Sequence, residues 1–133
     1  MNTFQTMAAA VLVAGSALTM QMAHAQAPGI GRVDLVAQDS SAPGRQIVQV
    51  RVDFAKGAFA PKHVHPGEEV AFVLEGTLEY QLNDNPPVTL QAGQSLFIPA
   101  GARHSARNIG SGDAKELATY FVEKGKPLVV LDK

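Results

Sequence analysis

The chain has no cysteine and no tryptophan. The first absence excludes disulfides, thiolate metal sites and a cysteine nucleophile together. It also suits an oxidising compartment, where a lone thiol is a liability. Charge of one sign is missing too: 11 basic and 12 acidic residues leave a formal net charge of −1. That near balance argues against a nucleic-acid partner, which would need a basic face. No apolar run reaches the ~20 residues of a membrane-spanning helix. No stretch carries a helical period of useful length, which excludes a βαβ fold. The 133 residues suffice for one domain of ordinary size, not two.

Acidic and basic residues are wholly absent from residues 1–25. Within them lies the apolar run MAAAVLVAGSALTM, followed by the small-x-small pattern Ala23-His24-Ala25. This layout predicts a secretory signal peptide at residues 1–25, cleaved after Ala25, and a domain at residues 26–133. The opening MNTFQT carries no Lys or Arg, and no twin arginine precedes the run. The general secretory route is therefore expected, and a periplasmic or secreted protein with no membrane segment after cleavage.

What remains is rich in short alternating stretches. Residues 47–54 place Val48, Val50, Val52 and Phe54 on one side and Gln49, Arg51 and Asp53 on the other. Further strands are predicted over residues 32–38, 59–65, 69–75, 77–82, 88–91, 95–98, 103–109, 117–123 and 128–131. Turn chemistry separates them: DSSAPG, Lys56-Gly57, Pro66-Gly67, Gly76, NDNPP, Ala92-Gly93 and Pro99-Ala100-Gly101. Such spacing predicts an all-β sandwich or barrel.

Histidine is scarce as well. Of four, His24 leaves with the signal peptide, and the others are His63, His65 and His104. Residues i and i+2 of a strand share a face, so both His63 and His65 can enter the interior together. Glu69 follows a Pro-Gly turn that can return its carboxylate beside them, with neighbouring Glu68 as the alternative. Strand parity prefers Glu69, whose face continues through Ala71 and Val73. His104, some forty residues on, follows a second turn and can close the set from a facing strand. Three neutral imidazoles and one carboxylate suit one divalent transition metal: Fe, Mn, Cu, Ni or Zn. Arg51, Tyr80, Arg103 and Tyr120 are candidates for acid–base or substrate contact, against the plainer reading of solvated strand faces.

The spacing around these residues resembles the two motifs of the cupin family. Gly57, His63, His65, Glu69 and Gly76 match G-x5-H-x-H-x3-E-x6-G. Gly93, Pro99, Gly101, His104 and Asn108 match G-x5-P-x-G-x2-H-x3-N. At about 7% per position, chance agreement throughout is on the order of one in 10^11 or rarer per placement. The resemblance implies a single jelly-roll barrel of six to eight strands, with His63, His65, Glu69 and His104 as metal ligands. It also implies a homodimer. Asn108 is expected to support a neighbouring loop by hydrogen bonds.

The family hosts several chemistries, so the fold alone does not choose among them. The leading expectation is a dioxygenase-type oxidoreductase, quercetinase-like, acting on a small organic substrate. The alternatives are an isomerase or lyase needing no oxygen, and a non-catalytic ligand-binding or stress-related module.

Overall fold

Ten strands form where turn residues punctuate the apolar alternation, and they make two five-stranded antiparallel sheets. The computed structural model describes residues 27–133. The predicted signal peptide at residues 1–25 lies outside them. The first sheet runs β1 (Ile30–Asp39), β2 (Arg45–Phe54), β9 (Ala114–Glu123), β4 (Gly67–Glu75), β7 (Ser95–Ile98). The second runs β10 (Val130–Leu131), β3 (Phe59–Val64), β8 (His104–Asn108), β5 (Thr77–Leu82), β6 (Val88–Gln91). There is no helix among the described residues. The all-β jelly roll is therefore the fold. Its ten strands exceed the expected six to eight because β1 and β10 extend one edge of each sheet.

Period-two alternation decides which side chains fill the space between the sheets. Val48, Val50 and Phe54 of β2 are buried, as are Glu69, Ala71 and Val73 of β4. On β9 the inward set is Ala114, Glu116, Ala118, Tyr120 and Val122. The opposite sheet contributes Leu78 and Tyr80 from β5, and His104, Ala106 and Asn108 from β8. Cross-strand pairing of Ala106 with Tyr80 puts a small side chain beside a large buried aromatic, and Ala71 pairs with Ala118.

Asn108 has the expected supporting role. Its Nδ2 donates to the carbonyls of Phe54, Ala55 and Gly112 at 2.8–3.1 Å, while its Oδ1 accepts from Gly110 N. One side chain thus ties the end of β2 to the loop at residues 110–112.

The glycines of the two motifs, Gly57, Gly76, Gly93 and Gly101, all have positive φ, as their turns require. Gly67 is different. A Cβ there would fall on the Phe121 carbonyl and within 2.6 Å of Val122 Cα, so β4 and β9 approach closely only because position 67 has no side chain. That approach also sets the return of the chain from His65 to Glu69. Gly67→Ala is expected to cost about 1–3 kcal/mol, as overpacking does. Thermal unfolding should show a fall of roughly 4–8 °C per kcal/mol, and an unchanged midpoint would contradict the close approach.

Candidate metal centre

His63 lies near the end of β3, His65 just beyond it, Glu69 on β4 and His104 at the start of β8. The register carries them together. His63 is the cross-strand partner of His104, and Glu69 is that of Tyr120. The ligand nitrogens of the three histidines lie within 4.8 Å of one another. Their ring centroids are 4.2–5.0 Å apart. Glu69 Oε2 is 2.9 Å from His65 Nε2 and 3.3 Å from His104 Nε2. Glu68 stands on the opposite face of β4, as parity predicts, and Glu69 is the one that meets His65 and His104.

The protonation pattern follows from hydrogen bonds. Each Nδ1 faces a backbone carbonyl: His63 with Pro61 at 2.7 Å, His65 with Leu128 at 2.6 Å, His104 with Ala102 at 2.9 Å. A carbonyl only accepts, so each Nδ1 must donate. In the neutral ring Nε2 is then a lone pair. His63 is held neutral, pushed down to about 4, chiefly by burial and then by the neighbouring His104. Burial alone would raise the Glu69 carboxyl; the His104 and His65 rings outweigh it, and hold it down at about 2, when a positive charge stands at their Nε2 atoms. With that charge in place Glu69 is a buried anion.

His65 Nε2 and Glu69 Oε2 are buried with no hydrogen-bond partner. A lone pair facing a carboxylate oxygen at 2.9 Å is repulsive unless a positive charge stands between them. A shared proton or a metal cation meets that need equally well, and the two compete for the position. The donor set therefore fits a divalent metal: Nε2 ligands oriented by Nδ1–H bonds to carbonyls, with one carboxylate. The three-histidine cluster could hold such an ion.

Residues 128–132 help hold this arrangement. Besides the Leu128 carbonyl on His65, Val130 and Leu131 pair with Val64 and His63. Asp132 N donates to the Lys62 carbonyl, and the Asp132 carboxylate takes Arg103, next to His104. Arg103 is thus a surface clasp, and Arg51 likewise pairs outside the barrel with Asp53. Neither arginine enters the interior.

The two tyrosines do. Tyr120 is buried with its ring 4.7 Å from His65, and burial followed by the Glu69 charge pushes its hydroxyl up. Tyr80, 1% exposed, donates to Glu116 Oε1 at 3.0 Å. The solvated reading fails for both. With a strand predicted only from residue 117, Glu116 falls outside it and carries no local signal of its own. Read backwards from Val122, the alternation Tyr120, Ala118, Glu116 continues inward and marks it. Burial, then the Glu69 charge, push the Glu116 carboxyl up to about 8 despite the Tyr80 hydrogen bond.

Fold and site together define a class: double-sheet jelly-roll proteins with a buried histidine cluster suited to a metal ion. The chain belongs to the cupin family, whose cupin-domain model matches residues 50–120. Among curated relatives, the dimethylsulfoniopropionate lyase DddQ of Ruegeria pomeroyi is 39% identical over 51 residues, covering 38% of this chain and 25% of that protein. Germin-like protein 1-1 of Oryza sativa subsp. japonica is 36% identical over 79 residues, covering 56% of this chain and 37% of that one. The chain thus spans well under half the length of these relatives. Among solved structures, DddQ superposes with a TM-score of 0.63 at 25% identity, covering 77% of this chain and 51% of that one. A recombinant oxalate oxidase in complex with glycolate gives 0.64 at 24% identity, covering 80% and 57%. The latter likeness is one of fold.

Proposed function

We propose that the chain is an exported metal-dependent cupin enzyme acting on a small organic molecule, with His63, His65, Glu69 and His104 as the ligands of one divalent metal. One observation carries the metal assignment: imidazoles committed at Nδ1 direct Nε2 lone pairs at a buried carboxylate. Export rests on the uncharged, apolar residues 1–25.

The reaction proposed first is a dioxygenase-type oxidation. When bound, Fe, Mn, Cu or Ni supplies Lewis acidity and redox chemistry, and zinc the former alone. The chain's own contribution is positional. His63 is the least buried of the three imidazoles, so small molecules approach from its side. The tyrosine rings and alanines around the centre exclude water from the far side.

A second reading, a lyase or isomerase needing no oxygen, has its own support. Tyr120 beside His65 and the Glu116–Tyr80 pair deeper in the barrel are groups that can hold or move a proton. DddQ, a lyase, shares part of the sequence.

Protein recovered from the exported fraction should begin at Gln26 by mass and carry about one metal per chain. Fe, Mn, Cu or Ni together with oxygen uptake on phenolic or enol substrates supports the oxidative reading. Turnover without oxygen moves the assignment to the lyase. Stoichiometric metal without turnover leaves a ligand-binding module, and absence of metal after loading sinks the proposal entirely.

A further inference from the structure

After Glu123, the last residue of β9, the chain leaves the first sheet and joins the second as β10. The segment that crosses from one sheet to the other is tied down beside the histidines at every step. The Leu128 side chain packs on the first-sheet cluster of Val48, Val50, Ala118, Tyr120 and Val122. Its carbonyl accepts from His65 Nδ1 at 2.6 Å. Val130 and Leu131 pair with Val64 and His63. Asp132 N donates to the Lys62 carbonyl at 2.9 Å, and the Asp132 carboxylate accepts from Arg103, the neighbour of His104.

These ties bury little. Strand β10 is two residues long, with Val130 47% exposed and Leu131 58%. A segment with few buried apolar contacts belongs to the low-stability end of a fold and opens without unfolding the rest. The rings behind it are the reverse, since the side chains of His65 and His104 are 2% and 3% exposed. A weakly held segment therefore carries the acceptor that orients a deeply held imidazole.

Docking and ligation act on that same ring. With Nδ1–H held by the Leu128 carbonyl, His65 keeps its Nε2 lone pair aimed inward, and the carbonyl raises the basicity of Nε2 as a ligand. Positive charge at Nε2 in turn makes Nδ1–H a stronger donor, because charge-assisted hydrogen bonds are roughly twice as strong as neutral ones. When the segment is released, Nδ1 loses its acceptor and the ring its orientation. A coupling of this kind is reciprocal: each event favours the other by the same factor.

We propose that residues 128–132 form a strap whose docking is coupled to metal binding, with Leu128 the positioning residue that seats His65 for ligation and occupation of the centre tightening the strap in return. This rests on the metal reading above and goes beyond it by giving the site a moving part.

The test is amide hydrogen exchange of the intact chain, followed by NMR with and without saturating Zn²⁺. Exchange of the Asp132 amide, which reports the docked strap, should slow by about 10–100-fold, the range that a supporting group of this type commands. The Gln94 amide, bonded to the Gln91 carbonyl in the β6–β7 turn, should be unaffected. A chain ending at Pro127 should bind Zn²⁺ about 10–100-fold more weakly than the intact chain. Asp132→Ala removes only the clasp on Arg103 and should fall between the two. Tight Zn²⁺ binding by the intact chain with Asp132 exchange unchanged, or slowed no more than that of Gln94, overturns the strap and leaves the metal centre standing. So does full affinity in the chain ending at Pro127. An intact chain that takes up no Zn²⁺ defeats the metal reading and this inference with it. If the shortened chain does not fold, the exchange measurement on the intact chain decides alone.

Discussion

His63→Ala and His104→Ala each abolish stoichiometric metal binding and remove the stability that metal confers. The expected loss of affinity exceeds the 10–100-fold that removal of a merely supporting group produces. The stability effect follows from linkage: metal at 100 times its dissociation constant stabilises the folded state by about 2.7 kcal/mol. In a domain of this size that corresponds to roughly 10–20 °C of unfolding temperature. The same substitutions in chelated protein should cost less, because the interior there holds buried acceptors facing one another, His65 Nε2 and Glu69 Oε2. Deleting one ring relieves part of that repulsion while leaving a cavity. Titration calorimetry and thermal unfolding with and without metal separate the two terms. Normal binding by either variant contradicts a four-ligand centre.

The site was legible in the sequence because its parts are local. His63 and His65 share a face by strand parity, and Pro66-Gly67 returns the chain so that Glu69 meets them. The strands Thr77–Leu82, Val88–Gln91 and Ser95–Ile98 fall where turn residues bound them on both sides. Strand β9 was harder. Leu117, Thr119 and Phe121 alternate with Ala118, Tyr120 and Val122, and both rows are largely apolar. Period two then gives two faces without saying which is inside, so the inward tyrosines could not be told from outward ones. The start of β9 was hidden by Lys115 and Glu116, which read as polar loop. Lys115 in fact faces out to Glu75, while Glu116 faces in to Tyr80. A charged residue directed inward defies the usual pattern, and only the facing sheet, through Tyr80, provides its partner. The carbonyl that orients His65 comes from Leu128, 63 residues away, and no local pattern reports such a contact.

Glu116→Gln flattens the pH dependence of stability in metal-free protein. An unfolded glutamate titrates near 4.3, whereas Glu116 in the folded chain is pushed up to about 8 by burial and by the Glu69 charge. Between those values the folded state binds more protons than the unfolded one. The stability contributed by Glu116 is therefore greatest below about pH 4, falls as pH rises through this window, and levels off above 8. The loss attached to this one group is on the order of 5 kcal/mol at 1.36 kcal/mol per unit. Glutamine keeps the size and still accepts the Tyr80 hydroxyl, but it cannot titrate. Glu69, Tyr80 and Tyr120 feel the Glu116 charge but titrate outside this window, so the difference between wild-type and variant unfolding curves from pH 5 to pH 9 reports Glu116. Tyr80→Phe should move the fall to higher pH, because the Tyr80 hydrogen bond opposes the shift. Metal should act the other way: a cation on Glu69 cancels the anion that helps keep Glu116 protonated. The fall should then shrink in loaded protein, and metal uptake near pH 8 should release a proton that the Gln variant does not. Identical pH profiles for wild type and Glu116→Gln would show that Glu116 carries no proton at neutral pH. The interior acid required by the non-oxidative reading would then be lost.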